Sequence, residues 1–397
     1  MSNVFYAWEL GANLGHMGAF LPLARLLRER GHSVHWVLAK THEAAAVLGP
    51  HGFSWMQAPT THDHMPGHTP ENYSSILLHH GYGNAQTLLG LVEAWRSLMR
   101  LSQADVVVVD HAPTAILAAR TLGIPVMNHG NGFTVPPPVH PTPQFRSWQS
   151  VPSEVLLAND AGALASINAL LGAFRCAPLS RLADLFDIAE PALMTFPELD
   201  HYGHRGPARY WGAATAAAGE APVWPSAHGP RVFAYVRASG KHYAAVLEAL
   251  GGLEAGVLVV APGLSPAERE RWQRPHVTIA STPVHLQQAA READLGVMWG
   301  GGGNSALVFL LAGTPLVLLP NQLEPFLQGL RVQEMGAGVV VDLDAGSVAL
   351  LALLQGALSD RSLTAGAQAF ATRHAQVSDA QRLHAMATRL ESLTPAR

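Results

Sequence analysis

Short apolar runs alternate with stretches of helical period from one end of the chain to the other, the signature of an α/β fold built on parallel sheets. Residues 4–8 read as a buried strand, and a loop carrying Gly11, Gly15 and Gly18 follows it. Leu21, Leu23, Ala24, Leu26 and Leu27 then recur at helical spacing until Gly31, which reads as the stop. Residues 33–38 are the next strand. A β–loop–α–β unit of about 35 residues suffices for a right-handed parallel crossover. The same grammar returns in residues 106–109, an apolar strand ending at Asp110 and His111. Residues 112–122 then read as a helix, and Ile124 opens a further strand.

A second α/β series begins after the Ala- and Pro-rich residues 216–230, which read as a linker. Strands are expected at 231–236, 257–261, 277–279, 295–299, 315–319 and 339–341. Helices at 346–358, 362–373 and 379–393 close the chain. The division read from this pattern is 1–220, a linker at 221–230, and 231–397 with all three terminal helices. Residues 51–80 hold six His and three Pro and read as a long irregular loop. Residues 129–143, with five Pro, read as another.

Composition excludes several classes. The chain is 48% hydrophobic and 14% charged, so it is not mainly disordered. Its 25 Lys and Arg against 29 Asp and Glu give a net charge of −4, which argues against nucleic acid as a partner. No apolar run approaches the roughly 20 residues needed to cross a bilayer, and 347–358 reads as the most apolar helix. The first ten residues carry Glu9 and no basic segment, unlike a signal peptide. Cys176, alone, makes neither an internal disulfide nor a cysteine zinc site. A cytoplasmic protein is the expectation.

Two open parallel sheets in tandem should face a central cleft at the carboxyl ends of their strands. The loops after Trp8, Asp110, Val236, Ile279, Trp299 and Leu319 should converge there. His16, just before the first helix, is placed to take a proton from a hydroxyl, or only to cap or pack that helix. Asp110 is placed to fix the imidazole tautomer, or to cap the helix that follows. Glu9 is a second candidate base, or a group that only bonds backbone amides. Asn13, His129 and Asn131 lie in loops suited to contact an acceptor.

In the second series, Trp299 is followed by Gly300, Gly301, Gly302, Gly303, Asn304 and Ser305, between a strand and a helix. Bare amides at the positive end of a helix dipole suit a diphosphate, though tight packing alone also selects such glycines. Arg237, Ser239, Gly240 and Lys241 offer further phosphate donors, or a solvated surface. Glu324, at a helix start, is placed to accept sugar hydroxyls or to favour the helix dipole. His62, Asp63, His64 and His68 sit in a loop with no fixed metal-ligand geometry, so no metal site is assigned.

These segments together resemble the inverting, nucleotide-sugar-dependent glycosyltransferases of the GT-B fold, among them bacterial macrolide glycosyltransferases and UDP-glycosyltransferases. The likeness rests on Gly15-His16, the helix to Leu27 and Arg30-Gly31-His32. It continues in 104–110 with 122–125, and in the stretch from Gly300 through Leu310-Leu-Ala-Gly-Thr-Pro315 to Gly338. The resemblance implies two Rossmann-like domains, the first for the acceptor and the second for the donor. It implies His16 as general base oriented by Asp110, and transfer with inversion and without a metal. It implies a diphosphate on the glycine loop and a nucleobase on the backbone of Pro283 and Val284. UDP- or dTDP-sugars are the donors it favours, as co-substrates rather than resident cofactors, with a small hydroxyl-bearing acceptor.

The chain departs from that pattern at several positions. Gly300 stands where the family usually has His, Val308 where it has Glu, and Glu324-Pro325 where it has Asp-Gln. Ala19 and Phe20 occupy the region of a usual Pro. Two other readings therefore stand beside glycosyl transfer: a nucleotide-sugar epimerase or hydrolase on the same fold, and a catalytically silent ligand-binding or auxiliary protein.

Overall fold

The computed structural model describes all residues except 12–14, 62–68, 213–218, 227, 239–240, 301–302, 345–348, 377 and 395–397, and the side chain of Asn304. The chain divides into two units: Met1–Ala214 joined by Asp379–Arg397, and Thr215–Ser378.

Unit 1 holds five strands: β1 (Asn3–Trp8), β2 (Ser33–Leu38), β3 (Trp55–Gln57), β4 (Val106–Asp110) and β5 (Val126–Asn128). All pair in parallel in the order β3-β2-β1-β4-β5. Strands β1 and β4 are central and covered on both faces, which is why they read as unbroken apolar runs rather than alternating ones. The helix Gly15–Glu29 buries Met17, Phe20, Leu23, Ala24 and Leu27, a stripe at three- and four-residue spacing. It ends at Gly31, whose φ of +87° is left-handed and suits glycine. Strand β3 was not anticipated, because it spans only three residues inside the His-rich stretch read as loop.

Unit 2 holds β6 (Arg231–Tyr235), β7 (Gly256–Val260), β8 (Val277–Ala280), β9 (Leu295–Trp299), β10 (Leu316–Leu319) and β11 (Gly338–Val340). These are parallel in the order β11-β10-β9-β6-β7-β8. Each expected strand of this series is present within a residue or two. The helices Leu350–Ser359 and Arg361–His374 belong here, and Leu350, Leu354, Ala357 and Leu363 join the unit 2 core.

The last helix, Asp379–Leu393, does not follow them. Met386, Ala387 and Leu390 are fully buried in the unit 1 core with Phe20, Leu23 and Leu27. Arg389 donates to the buried Glu190 at 2.7 Å. Arg30 and His32 meet Glu391 at 3.0 and 3.1 Å. The Arg30-Gly31-His32 landmark therefore anchors the terminal helix, and long-range contacts override the sequence order from which the helix was assigned to the second domain.

A second correction concerns apolar length. Ser153–Ala173, 21 residues, is long and apolar enough by length and composition to span a bilayer, whereas no apolar stretch of that length was expected. Its Asp160 is buried and accepts from Ser74 and from the Thr142 amide (2.8 Å), and Asn168 bonds both polar backbone groups of Leu179 (2.8 and 3.0 Å). These bonds tie the helix into unit 1, where its turns pack on neighbouring segments.

Candidate active site

In unit 1 the strand order reverses between β1 and β4, and the loops leaving the carboxyl ends of these strands diverge there. That switch point is where open α/β sheets bind ligands. Glu9 follows β1, and Asp110 is the last residue of β4. His16 sits in the first turn of the helix that returns from β1. The pairing of β1 with β4 brings Trp8 opposite Asp110. His16 Nδ1 lies 2.9 Å from Asp110 Oδ2, with 21% of the His16 side chain and 7% of the Asp110 side chain exposed. Trp8 stacks on the imidazole at 4.9 Å between centroids and 24° between planes. The indole is itself held, since Trp8 Nε1 donates to the Leu10 carbonyl at 2.7 Å. Gly11 has a φ of +96°, and a Cβ there would stand 2.8 Å from His16 Nε2, the ring nitrogen not bonded to Asp110. Glycine at this position leaves room beside that nitrogen, and any larger residue would fill it.

Two groups under this pair were not singled out from sequence. The Tyr6 hydroxyl lies 3.2 Å from Asp110 Oδ2 and 3.0 Å from the His16 carbonyl. His111, next after Asp110, has a φ of +48°, an uncommon backbone for a residue with a Cβ. Such outliers cluster at functional sites. Period-two alternation puts Tyr6 and Trp8 on one face of β1, and that spacing was the available signal for Tyr6.

The electrostatics separate the titratable groups. Burial pushes the Asp110 carboxyl up, but the His16 charge and hydrogen bond, with smaller contributions from His129 and His111, hold it below the ordinary carboxylate value. It is therefore an anion beside the imidazole. His129 is 2% exposed, and its backbone amide bonds the Val109 carbonyl at 2.7 Å, which seats it beside the end of β4. Its two ring nitrogens have no hydrogen-bond partner among the described residues. Burial lowers it from 6.5 to about 4, so it is neutral near pH 7. Asn131 accepts from the Phe133 amide at 3.0 Å and caps the turn Gly132–Thr134.

Glu9 is 8% exposed, and its carboxylate accepts from the Thr114 amide at 2.9 Å. It caps the helix Pro113–Leu122, whose own N-cap residue Ala112 supplies no side-chain bond. That is the capping role considered for Asp110. Burial raises Glu9 from 4.5 to about 7, against the bonds from Thr114 and Ala115, which lower it. Because the folded chain holds this proton more tightly than the unfolded chain, the stability it confers is complete below about pH 4.5 and lost as the pH rises through 7. Glu9→Gln cannot ionise. In urea unfolding at pH 8 it is expected to be more stable than the parent by up to about 3 kcal/mol. At pH 4.5 that advantage should vanish, and an advantage equal at both pH values would contradict the assignment.

Unit 2 has its own switch point, between β6 and β9. Arg237 follows β6, is exposed, and has no ion-pair partner among the described residues. Lys241 is engaged with Asp344 at 2.5 Å, beside His242 at 2.8 Å from the same oxygen. Gly300 follows β9 with a φ of +77°, a backbone a histidine rarely adopts, and its amide bonds the Leu319 carbonyl at 2.8 Å. The helix Gly303–Leu311 begins three residues on, with Ser305 half-buried in its first turn. Pairing of β9 with β10 brings Trp299 opposite Leu319, and a Cβ on Gly300 would stand 3.7 Å from Asn321 Oδ1, just before the helix Leu323–Glu334, whose first turn holds Glu324. Val308 is 6% exposed and is core.

Pro283 and Val284 lie after the edge strand β8, three strands from β9. Glu220 pairs with Val284: its amide bonds the Pro283 carbonyl at 2.8 Å, and its carbonyl takes the His285 amide at 2.7 Å. A parallel bridge of this form leaves the amide and carbonyl of Val284 itself outside the pairing. Asn13, Ser239, Gly240, Gly301 and Gly302 lie outside the described residues, as do His62, Asp63, His64 and His68 and the side chain of Asn304. Among the described residues no three His, Cys, Asp or Glu side chains stand together as a metal site.

No family model matches the chain, and no curated protein matches it. Solved structures do. The calicheamicin glycosyltransferase CalG4 is 18% identical, with a TM-score of 0.70 over 99% of this chain and 98% of that one. The spinosyn rhamnosyltransferase SpnG is 17% identical, with a TM-score of 0.65 over 99% of each chain. The glycosyltransferase VinC, solved with dTDP, is 15% identical, with a TM-score of 0.66 over 98% of this chain and 99% of that one. At these identities what is shared is the architecture, and over nearly its full length the chain has the GT-B fold of these structures.

Proposed function

We propose that the chain is a glycosyltransferase that moves a sugar from a nucleotide-sugar donor to a hydroxyl of a small acceptor, with inversion. The observation that carries this reading is the 2.9 Å contact of His16 Nδ1 with the buried Asp110 carboxylate at the switch point of unit 1. An imidazole with its Nδ1–H held by an anion presents Nε2 as the basic nitrogen. Nε2 takes the acceptor hydroxyl proton as the oxygen attacks the anomeric carbon. The bond from that carbon to the diphosphate oxygen breaks, and the nucleoside diphosphate leaves. One displacement inverts the centre. The amides opening the helix Gly303–Leu311, with Arg237, meet the charge on the leaving group, so the reading assigns no metal to the step. The backbone amide and carbonyl of Val284, which take no part in the bridge to Glu220, suit a nucleobase edge. Two of the similar structures were solved with thymidine diphosphate and one with spinosyn aglycone, which favours a dTDP-sugar and a small apolar acceptor for this chain.

The buried Val308 and the Pro325 beside Glu324 favour a second reading, a protein that binds a nucleotide-sugar without turning it over. Thermal unfolding with dTDP, UDP and GDP, followed by transfer assays with matching sugar donors, separates the two. At one hundred times its dissociation constant, a nucleotide that binds only the folded state adds about 2.7 kcal/mol. His16→Ala is expected to keep that shift and to lose about 10²- to 10⁴-fold in transfer. Transfer unchanged in His16→Ala overturns the proposal, and a shift without turnover in the parent favours the second reading.

A further inference from the structure

We propose that the Tyr6 hydroxyl is a positioning group for His16 and Asp110, setting both the placement of the imidazole and its proton affinity. In its effect on turnover this rests on the glycosyl-transfer reading above. Tyr6 lies in the central strand β1 and is fully buried. A hydroxyl there must find partners, because an unpaired buried donor is costly. The partners it finds are the two parts of the pair: the Asp110 Oδ2 atom at 3.2 Å, 104 residues away, and the carbonyl of His16 at 3.0 Å. The ring cannot drift, since it stacks on Phe20 at 4.3 Å and 9° and abuts Trp36 at 4.9 Å. One group thus braces the backbone that carries the imidazole and the carboxylate that holds it. Burial and the Asp110 charge raise the Tyr6 phenol well above its ordinary value, so it remains a donor.

The direction of the effect follows from a shared atom. Asp110 Oδ2 accepts from His16 Nδ1 and takes a share of the single Tyr6 proton, which it divides with the His16 carbonyl. A second donor on one oxygen draws charge from the first bond. Removing it leaves more charge facing His16 and favours the imidazolium. In Tyr6→Phe the His16 ring should therefore bind its proton more tightly, by about threefold, less than one full hydrogen bond because the Tyr6 proton is shared with the His16 carbonyl. A site-specific 3-fluorotyrosine at position 6 is a stronger donor and should act in the opposite direction.

The test is a histidine NMR titration of the ligand-free protein, with the His16 resonance identified by its loss in His16→Ala. The expected result is an upward shift of the His16 midpoint in Tyr6→Phe and a downward shift with 3-fluorotyrosine. An unmoved midpoint, or shifts of the same sign, overturns the proposal. Should Tyr6→Phe not fold, the fluorinated protein decides alone. In transfer assays kcat should fall about tenfold with KM little changed, and the acid limb of its pH profile should follow the NMR midpoint. If the midpoint moves and the acid limb does not, Tyr6 sets the imidazole as proposed, and it is the assignment of His16 as base that fails.

Discussion

Replacing Asp110 by asparagine is expected to lower the kcat of the proposed glycosyl transfer by about 10³- to 10⁴-fold while leaving nucleotide binding intact. The geometry is nearly isosteric, so the loss is one of charge and tautomer. The carboxylate accepts from His16 Nδ1 at 2.9 Å, and Tyr6 donates to the same oxygen. In one of its two orientations an asparagine there keeps its amide oxygen on His16 and Tyr6, and in the other it turns its amide nitrogen toward His16. That orientation puts the imidazole proton on Nε2, the atom the acceptor needs empty. The anion that stabilises the imidazolium is lost in either orientation. Steady-state kinetics beside a nucleotide thermal-shift titration measure the two quantities separately. A loss under tenfold would remove Asp110 from the chemistry, and a loss of the nucleotide shift would mean the substitution acts on the fold.

The second large effect concerns stability. Arg205 and Asp200 form a buried ion pair with only 4% and 0% of their side chains exposed. Arg205 Nε and Nη2 bond the carboxylate at 2.5 and 2.7 Å, and Nη1 reaches the Val135 carbonyl at 2.7 Å. The same carboxylate accepts from Tyr210 at 3.0 Å and from the Tyr202 amide at 3.1 Å. Arg205→Ala strands an anion inside unit 1 and is expected to cost about 3–5 kcal/mol. For a unit of this size that is a fall in Tm of roughly 10 °C. A double variant with Asp200→Leu should recover part of it, because the stranded charge is then gone. Calorimetry of the parent and both variants checks this, and equal losses in the single and double variants would contradict the explanation. The clamp also shapes Gly132: a Cβ there would lie 2.7 Å from Asp200 Oδ1.

Much of the fold was legible because parallel strands buried on both faces leave a plain mark in a sequence. Residues 33–38 and 295–299 matched residue for residue, and Asp110 was expected at a strand end for the same reason. The roles that escaped are those decided by distant partners. Glu9 was weighed as a base, but it caps a helix more than a hundred residues away through Thr114. Asp110 was weighed as that cap and instead faces His16. Tyr6 looked like one more apolar residue of a strand, since nothing local says where its hydroxyl ends. The last helix carries an ordinary amphipathic stripe, and no rule of spacing says which core will take it.

Two buried groups of opposite kind also leave a signature in solution. The folded chain holds an extra proton at Glu9 up to about pH 7 and refuses one at His129 down to about pH 4. Between roughly pH 4.5 and 6.5 the unfolded chain would carry the reverse at both. The two contributions to the pH slope of stability therefore offset one another through that window.

The path of the chain sets an order of events during synthesis. Unit 2 is an insertion between two parts of unit 1, since Asp379–Arg397 returns to the first unit. The first unit to leave the ribosome is thus the last to be finished. Until the final helix emerges, Phe20, Leu23 and Leu27 lack the cover of Met386, Ala387 and Leu390, and the Glu190 carboxylate lacks Arg389. Unit 2, contiguous in the chain, can complete its sheet while the first unit still waits for its closing helix.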